Sequence, residues 1–176
     1  GASDAVLLER NKLTSGTTWH SAAQVRALRS SRNLTDLIRY SIELYKSLEE
    51  ETGQQVGWIN KGSLSIATNP DRLIHIKQQE ALARLFGVAA EMISPQEAKE
   101  RWPLMQADDV IGAVWSPDDG RVSPSDLCSA LVKAAKARGA RIFEDTGVTA
   151  IHTKAGRICA VETDKKKKKT EKVAIC

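Results

Sequence analysis

Cysteine is scarce in this 176-residue chain, and its placement excludes more than its number does. Cys128, Cys159 and Cys176 are odd in count, widely separated and free of any C-x-x-C spacing, which argues against a disulfide framework and a thiolate zinc site. All three are expected to be reduced. No apolar run approaches the roughly 18 residues of a membrane span, and the opening residues lack the charged, apolar and cleavage regions of a secretory signal. No membrane partner is expected, and cytoplasm is the default compartment. The chain also lacks an internal repeat and a G-x-G-x-x-G turn.

What is present is the material of one ordinary domain, or of a piece of a larger one, with 41% hydrophobic residues to build a core. The net charge of +4 comes from one place. Five lysines in a row occupy 165–169; without them 21 basic residues face 22 acidic ones, a balance of −1. Basicity is therefore local, and nucleic acid is not an expected partner. Like-charge runs are more often solvated loops than contacts, so the block is read as a loop where a turn should join "RICAVETD" to "EKVAIC".

Ala5, Val6, Leu7 and Leu8 read as a buried strand ending in Glu9, as the second strand of a mononucleotide-binding unit does. From Asn33, a candidate cap, Leu34, Leu37, Ile38, Ile42, Tyr45 and Leu48 recur at helical spacing until Gly53. Trp58-Ile59 and 63–67 then alternate as half-buried strands, expected to pair across "NKG" as a hairpin. A second helix opens at Asn69-Pro70 and stops at Gly87, and Ser94 with Glu97 forms a capping-box pattern for a short helix ended by Pro103. Residues 111–115 read as a strand and "SPDDG" as a turn. Ser123-Pro124-Ser125-Asp126 caps a further helix to Arg138. "RIFE", "VTAIHT", "RICAVET" and "KVAIC" read as strands, with Ala155-Gly156 as a tight turn. The order is that of an α/β chain with an antiparallel insertion.

Two places invite chemistry. In a dinucleotide fold a carboxylate at the end of the second strand accepts hydrogen bonds from both hydroxyls of the adenosine ribose, which gives Glu9 a role, although many strands end in an acidic residue. In "TSGTTWHSA" the small residues Ser15, Gly16, Thr17 and Thr18 let backbone N–H groups approach a phosphate or a flavin ring. Trp19 reads either as core or as a cofactor contact, and His20 either as a structural histidine or as a ligand; the residues alone leave both pairs open. No metal site is expected. Asp118-Asp119-Gly120 lacks the spaced oxygens of a hard-cation loop, Ser125 and Asp126 beside Cys128 have a capping explanation, and His75 and His152 lack a second ligand.

"LLERNKLTSGTTWHSAA", "EEETGQQVGWINKGSLSIAT", "ISPQEAKERWPLM", "SPDDGRVSPSDLCSALVKAAKARGA" and "TGVTAI" together resemble the sarcosine and dimethylglycine dehydrogenase branch of the FAD-dependent amine oxidoreductases, in the D-amino-acid-oxidase-like superfamily. The likeness runs in order through residues 2–162. It implies an FAD-binding Rossmann-like domain interrupted by an antiparallel substrate domain, with 1–52 in the former, 53–122 in the latter and 123–176 returning to the former. It also implies an internal fragment, inactive alone, with the glycine-rich turn and a pyrophosphate contact beyond its two ends.

The resemblance assigns residues as well. Glu9 and Arg10 match the ribose-contacting strand end, and Val148 matches the valine whose backbone holds the adenine. Gly16, Thr17, Thr18, Trp19, His20, Ser21, Ala22, Ala23 and Gln24 match the loop that wraps the flavin. His20 stands where several members bond a histidine to the 8α carbon of FAD, so both contact and covalent linkage are open. Attachment would prevent cofactor loss and favour amine oxidation. The family carries a glycine shortly after this histidine, where the chain reads Ala22-Ala23-Gln24.

The implied reaction is oxidation of an N-methyl amine such as sarcosine or dimethylglycine by hydride transfer to flavin, with a folate or an electron-transfer acceptor as further partner. The mitochondrial matrix is the implied compartment in a eukaryote. The groups that hold the substrate are expected outside the chain, so no catalytic residue is assigned. The alternative is a non-catalytic regulatory or scaffold relative that retains the fold.

Overall fold

The computed structural model describes residues 4–176. In chain order the elements are β1 (Val6–Leu8), β2 (Gln24–Val25), α1 (Arg32–Thr52), β3 (Ser63–Ala67), α2 (Pro70–Phe86), β4 (Glu91–Ile93), α3 (Pro95–Arg101), β5 (Gly112–Ser116), β6 (Gly120–Arg121), α4 (Pro124–Ala137), β7 (Arg141–Phe143), β8 (Val148–Lys154), β9 (Arg157–Thr163) and β10 (Lys167–Lys169). Strands β1 and β7 pair in parallel, β2 and β6 form an antiparallel ribbon, β3-β5-β4 is an antiparallel sheet, and β8, β9 and β10 form an antiparallel meander. The chain is thus mixed α/β with an antiparallel sheet in its middle.

Helix limits follow local chemistry. Asn69 caps α2 by accepting the Arg72 N–H, Pro70 occupies the first turn, where its missing N–H loses nothing, and Gly87 takes the left-handed conformation at φ 71° that ends the helix. Ser94 and Glu97 close the anticipated capping box on α3. On α1 the cap is Ser31, whose side chain accepts the Leu34 N–H; Asn33, the expected cap, lies inside the first turn. Ser123 caps α4 in position but makes no side-chain capping bond.

The central sheet shows period two directly. Leu64, Ile66, Ile93, Ala113 and Trp115 pack with Ala98 of α3, while Ala67 and Val114 on the opposite face pack on Ile76 of α2. Leu48 of α1, Val56 and Ala130 of α4 make a third cluster, and Ala27, Ile42, Ala83 and Val88 a fourth.

Four expectations are corrected. The 57–67 hairpin does not form: β3 pairs with β5, and Ile59 bridges to Arg121. The cause is the 117–121 turn, whose Pro117 and Asp119 carbonyls accept the Asn60 side-chain amide at 2.7 and 2.8 Å, with the Gly62 N–H also on Asp119 at 2.9 Å. Strand β4 was not anticipated. β1 is not buried, since Val6 is 36% and Leu7 45% exposed. The lysine block is not a loop: the turn falls at 163–166, where Thr163 Oγ1 accepts the N–H groups of Lys165 and Lys166, and Lys167–Lys169 then pairs with β9. Lys168 lies 4.1 Å over the Phe143 ring, and Lys167 stands opposite Glu162. "KVAIC" forms no strand, because the ladder is already spent on the lysines. Ala155-Gly156 is the tight turn expected, both residues at positive φ.

Two outcomes follow. A methyl group on Gly120 would sit 2.7 Å from the Ile59 carbonyl and from the Trp58 ring. Gly120→Ala should therefore cost about 1–3 kcal/mol in denaturant unfolding, and an unchanged midpoint would refute the close approach. Glu97 accepts the Ser94 N–H at 2.8 Å and its hydroxyl at 2.7 Å, which holds its carboxyl below the usual carboxylate range, the backbone bond contributing most. A depressed folded value means that the stabilisation is full above the ordinary carboxylate pKa and is lost as pH falls through the lowered one. An NMR titration should place Glu97 below the ordinary range, and Ser94→Ala should move it back towards that range.

Candidate functional site

The carboxyl ends of β1 and β7 lie side by side, and the chain leaving β1 stays bonded to the chain leaving β7. Glu9 N–H donates to the Phe143 carbonyl at 2.9 Å, Thr146 N–H to the Glu9 carbonyl at 2.8 Å, and Asp145 N–H to the Asn11 carbonyl at 3.0 Å. Leu13 N–H reaches the Glu144 carboxylate at 2.7 Å, and Lys12 pairs with Asp145, whose hydrogen bond and charge raise the lysine's pKa. This stitching brings Glu9 and Arg10 alongside Gly147, whose added Cβ would lie 3.8 Å from that of Arg10. Val148 is the next residue. At Val148 the β8–β9 ladder slips, the register shifting before Ala150, and the side chain is 49% exposed. Slips of this kind re-aim a strand end and leave backbone groups free for other partners. The Glu9 carboxylate, half-buried, accepts the Asn11 N–H on Oε1 at 2.8 Å.

The second group is the loop of residues 14–23. It opens with Thr14 at φ 67° and with Ser15, whose N–H and hydroxyl both donate to the Lys12 carbonyl. Gly16 has nothing within 4 Å of where a Cβ would stand. His20 Nδ1 lies 2.9 Å from the Gly16 carbonyl, and its ring stacks on Trp19 with centroids 4.0 Å apart. A carbonyl can only accept, so this bond puts a proton on Nδ1, and in the neutral ring the lone pair is then on Nε2. Trp19 is 59% exposed, which removes the core reading of that residue. Ser21 Oγ accepts the Ala23 N–H, Ala23 turns at φ 62°, and Gln24 joins β6 opposite Arg121.

The predicted residues therefore form two clusters: Glu9, Arg10 and Val148 at the strand ends, and Gly16 to Gln24 in the loop. Among the described residues no hydrogen bond or ion pair joins the clusters directly; the segment 11–15, fastened to Glu144 and Asp145, connects them. A cleft of about 400 Å³ lies against α1 between Ala27, Asp36, Tyr40, Ile42, Val88 and Asp118, and none of the predicted residues lines it. Among the described residues no three His, Cys, Asp or Glu side chains are grouped to hold a metal ion, and no helix is long and apolar enough to cross a membrane.

The sequence reading missed Asp119. Taken as a turn residue, it is 2% exposed, accepts the Ala27 N–H at 2.7 Å and the Ser63 hydroxyl at 2.5 Å, and lies 3.6 Å from Arg26 Nε. Its partners are remote in sequence, and a "DDG" turn gives no signal of which aspartate points inward.

The family profile described as "DAO: FAD dependent oxidoreductase" matches residues 1–176. The chain is 41% identical over 170 residues to mitochondrial sarcosine dehydrogenase of Mus musculus, covering 93% of the chain and 18% of that protein. It is 38% identical over 165 residues to the mitochondrial pyruvate dehydrogenase phosphatase regulatory subunit of Mus musculus, covering 94% and 19%. The fold superposes with a TM-score of 0.90 on L-proline dehydrogenase from P. horikoshii, at 28% identity over 96% of this chain and 44% of that one. The chain thus spans about a fifth of the length of these curated relatives.

The left-handed alanine in the loop carries its own test. An L-residue with a Cβ costs about 1–2 kcal/mol in that conformation, against about 0.5–1 kcal/mol of extra chain entropy for glycine. Ala23→Gly should therefore raise the unfolding free energy by about 0.5 kcal/mol in denaturant titrations, and a loss of stability would contradict the left-handed backbone at Ala23.

Proposed function

The chain belongs to the FAD-dependent oxidoreductase family, and from that premise we propose that it is a cofactor-holding part of a flavoenzyme that oxidises an N-methyl amine of the sarcosine or dimethylglycine type. The observation that carries the reading is His20 in its loop. Its Nδ1 is engaged by the Gly16 carbonyl, its Nε2 is free, and the indole of Trp19 lies against its ring in an exposed loop. A neutral imidazole held in one tautomer is the nucleophile that a bond to the flavin 8α carbon requires.

The donor set fits the rest of the cofactor. Glu9 would accept the ribose hydroxyls beyond the carboxyl end of a parallel strand, where dinucleotides bind in open α/β sheets, with Arg10 beside it. Val148, at the slipped end of β8, would offer backbone groups to the adenine. Gly16, Thr17 and Thr18, followed by Ser21, Ala22, Ala23 and Gln24, would follow the flavin, the absence of a Cβ at Gly16 leaving room for a ring. In this reading 1–52 and 123–176 serve the cofactor, and 53–122, with its antiparallel sheet, serves the substrate side.

FAD held by these residues would supply a hydride acceptor for the N-methyl carbon, and the iminium product would hydrolyse to formaldehyde and the demethylated amine or pass its carbon to a folate. An electron-transfer acceptor would be a further partner of the complete protein. Both curated relatives named above are mitochondrial, and the matrix is the compartment proposed for a eukaryotic source.

A second reading is favoured by one finding, the 38% identity to a regulatory subunit: a relative that keeps the fold as a regulatory or scaffold protein. The visible spectrum of the full-length protein separates the two. Flavin absorbance that survives acid precipitation supports the tethered enzyme, and colourless protein in saturating FAD supports the regulatory relative. His20→Ala in the full-length protein should abolish acid-stable flavin while leaving circular dichroism unchanged; undiminished acid-stable colour removes His20 from the linkage.

A further inference from the structure

Among the described residues Asp119 is the one carboxylate withdrawn from solvent, at 2% exposure. Such a group needs the protein to supply what water would, and its partners come from separate parts of the fold. One oxygen accepts the Ala27 N–H at 2.7 Å, and Ala27 lies three residues beyond Gln24, the last residue of the proposed flavin loop. The other accepts the Ser63 hydroxyl at 2.5 Å, and Ser63 opens β3. Arg26 lies 3.6 Å away through Nε and donates through Nη2 to Ser65 Oγ, again on β3, at 3.1 Å. The Asp119 carbonyl repeats the connection, accepting the Gly62 N–H and the Asn60 side-chain amide. The exit of the loop and the start of the antiparallel sheet are thus held by opposite oxygens of a single side chain.

We propose that Asp119 is a positioning residue for the flavin loop: by gripping Ala27 and Ser63 at once it fixes the exit of that loop against the antiparallel sheet, and so sets how firmly the loop holds the cofactor. The proposal rests on the reading that residues 16–24 contact FAD. It separates two roles that a buried carboxylate can have. A residue needed only for packing would, when altered, loosen the molecule everywhere; a clamp would loosen the loop exit first and leave the β8–β9 pair as it was.

The test uses the full-length protein with Ser63→Ala, which removes one jaw, Ser63→Thr, which retains the hydroxyl, and Asp119→Asn. Asn keeps an acceptor for the Ala27 N–H and can donate to Ser63, but no longer opposes Arg26. Hydrogen exchange is followed in peptides covering 22–28 and 148–163, alongside the ratio of flavin to protein absorbance. Ser63→Ala is expected to speed exchange in 22–28 by about tenfold, the scale of losing a hydrogen bond to a charged group, with 148–163 unchanged. The flavin ratio falls in parallel, Ser63→Thr restores both, and Asp119→Asn lies between. Unchanged exchange in 22–28 for both Ser63→Ala and Asp119→Asn overturns the clamp, as does equal acceleration in both peptides. Faster loop exchange with an undiminished flavin ratio overturns the link to the cofactor. Wild-type protein that takes up no flavin refutes the flavoenzyme reading, and the exchange comparison then still decides whether Asp119 is a clamp.

Discussion

A carboxylate shut away from water dictates the arrangement around it, because each of its oxygens must meet a donor that the fold provides. Asp119 meets Ala27, Ser63 and Arg26, and those contacts fix where three stretches of chain pass one another. The 117–121 turn draws residues 57–62 towards it, which is why β3 is free to pair with β5 and why Ile59 lies against Arg121. Gly120 is glycine because the chain passes the Ile59 carbonyl and the Trp58 ring too closely for any side chain. The loop that carries His20 returns to the body of the molecule at the same crossing, where the Ala23 carbonyl accepts the Val122 N–H.

The legible parts of the fold were those whose cause is local. Asn69, Pro70 and Gly87 bracket α2 because a cap, a missing N–H and a left-handed glycine all act within a turn of the helix ends. The Ser94–Glu97 box and the Ala155-Gly156 turn are equally self-contained. The failures share a different cause. Trp58-Ile59 has the alternation of a strand, yet its partner is chosen by Asn60 reaching a turn 57 and 59 residues away. The lysines have the composition of a loop, yet Thr163 turns the chain early and Phe143 supplies a ring for Lys168. Propensity states what a segment tolerates, and long-range bonds decide what it does.

The candidate site divides along the same line. Glu9 could be nominated because the end of a strand in a nucleotide-binding unit is a position with a known job, whereas the residues around His20 left a structural and a ligand role open. Neither the tautomer imposed by the Gly16 carbonyl nor the exposure of Trp19 could be read from letters. Ala23 is the instructive case. Its side chain disfavours positive φ, and the backbone nonetheless adopts the conformation that glycine would favour. The demand of the loop for that turn is evidently stronger than the preference of the residue that makes it.

The meander ends in a rank of ammonium groups. An outermost strand offers its unpaired backbone as a template on which a stray strand from another molecule can dock, the first step towards aggregation. Lys167 and Lys169 are exposed on that border while Lys168 anchors it to Phe143. Any newcomer would have to bring matching carboxylates or bear the repulsion, so the border repels its own kind while leaving the molecule's remaining charge close to neutral.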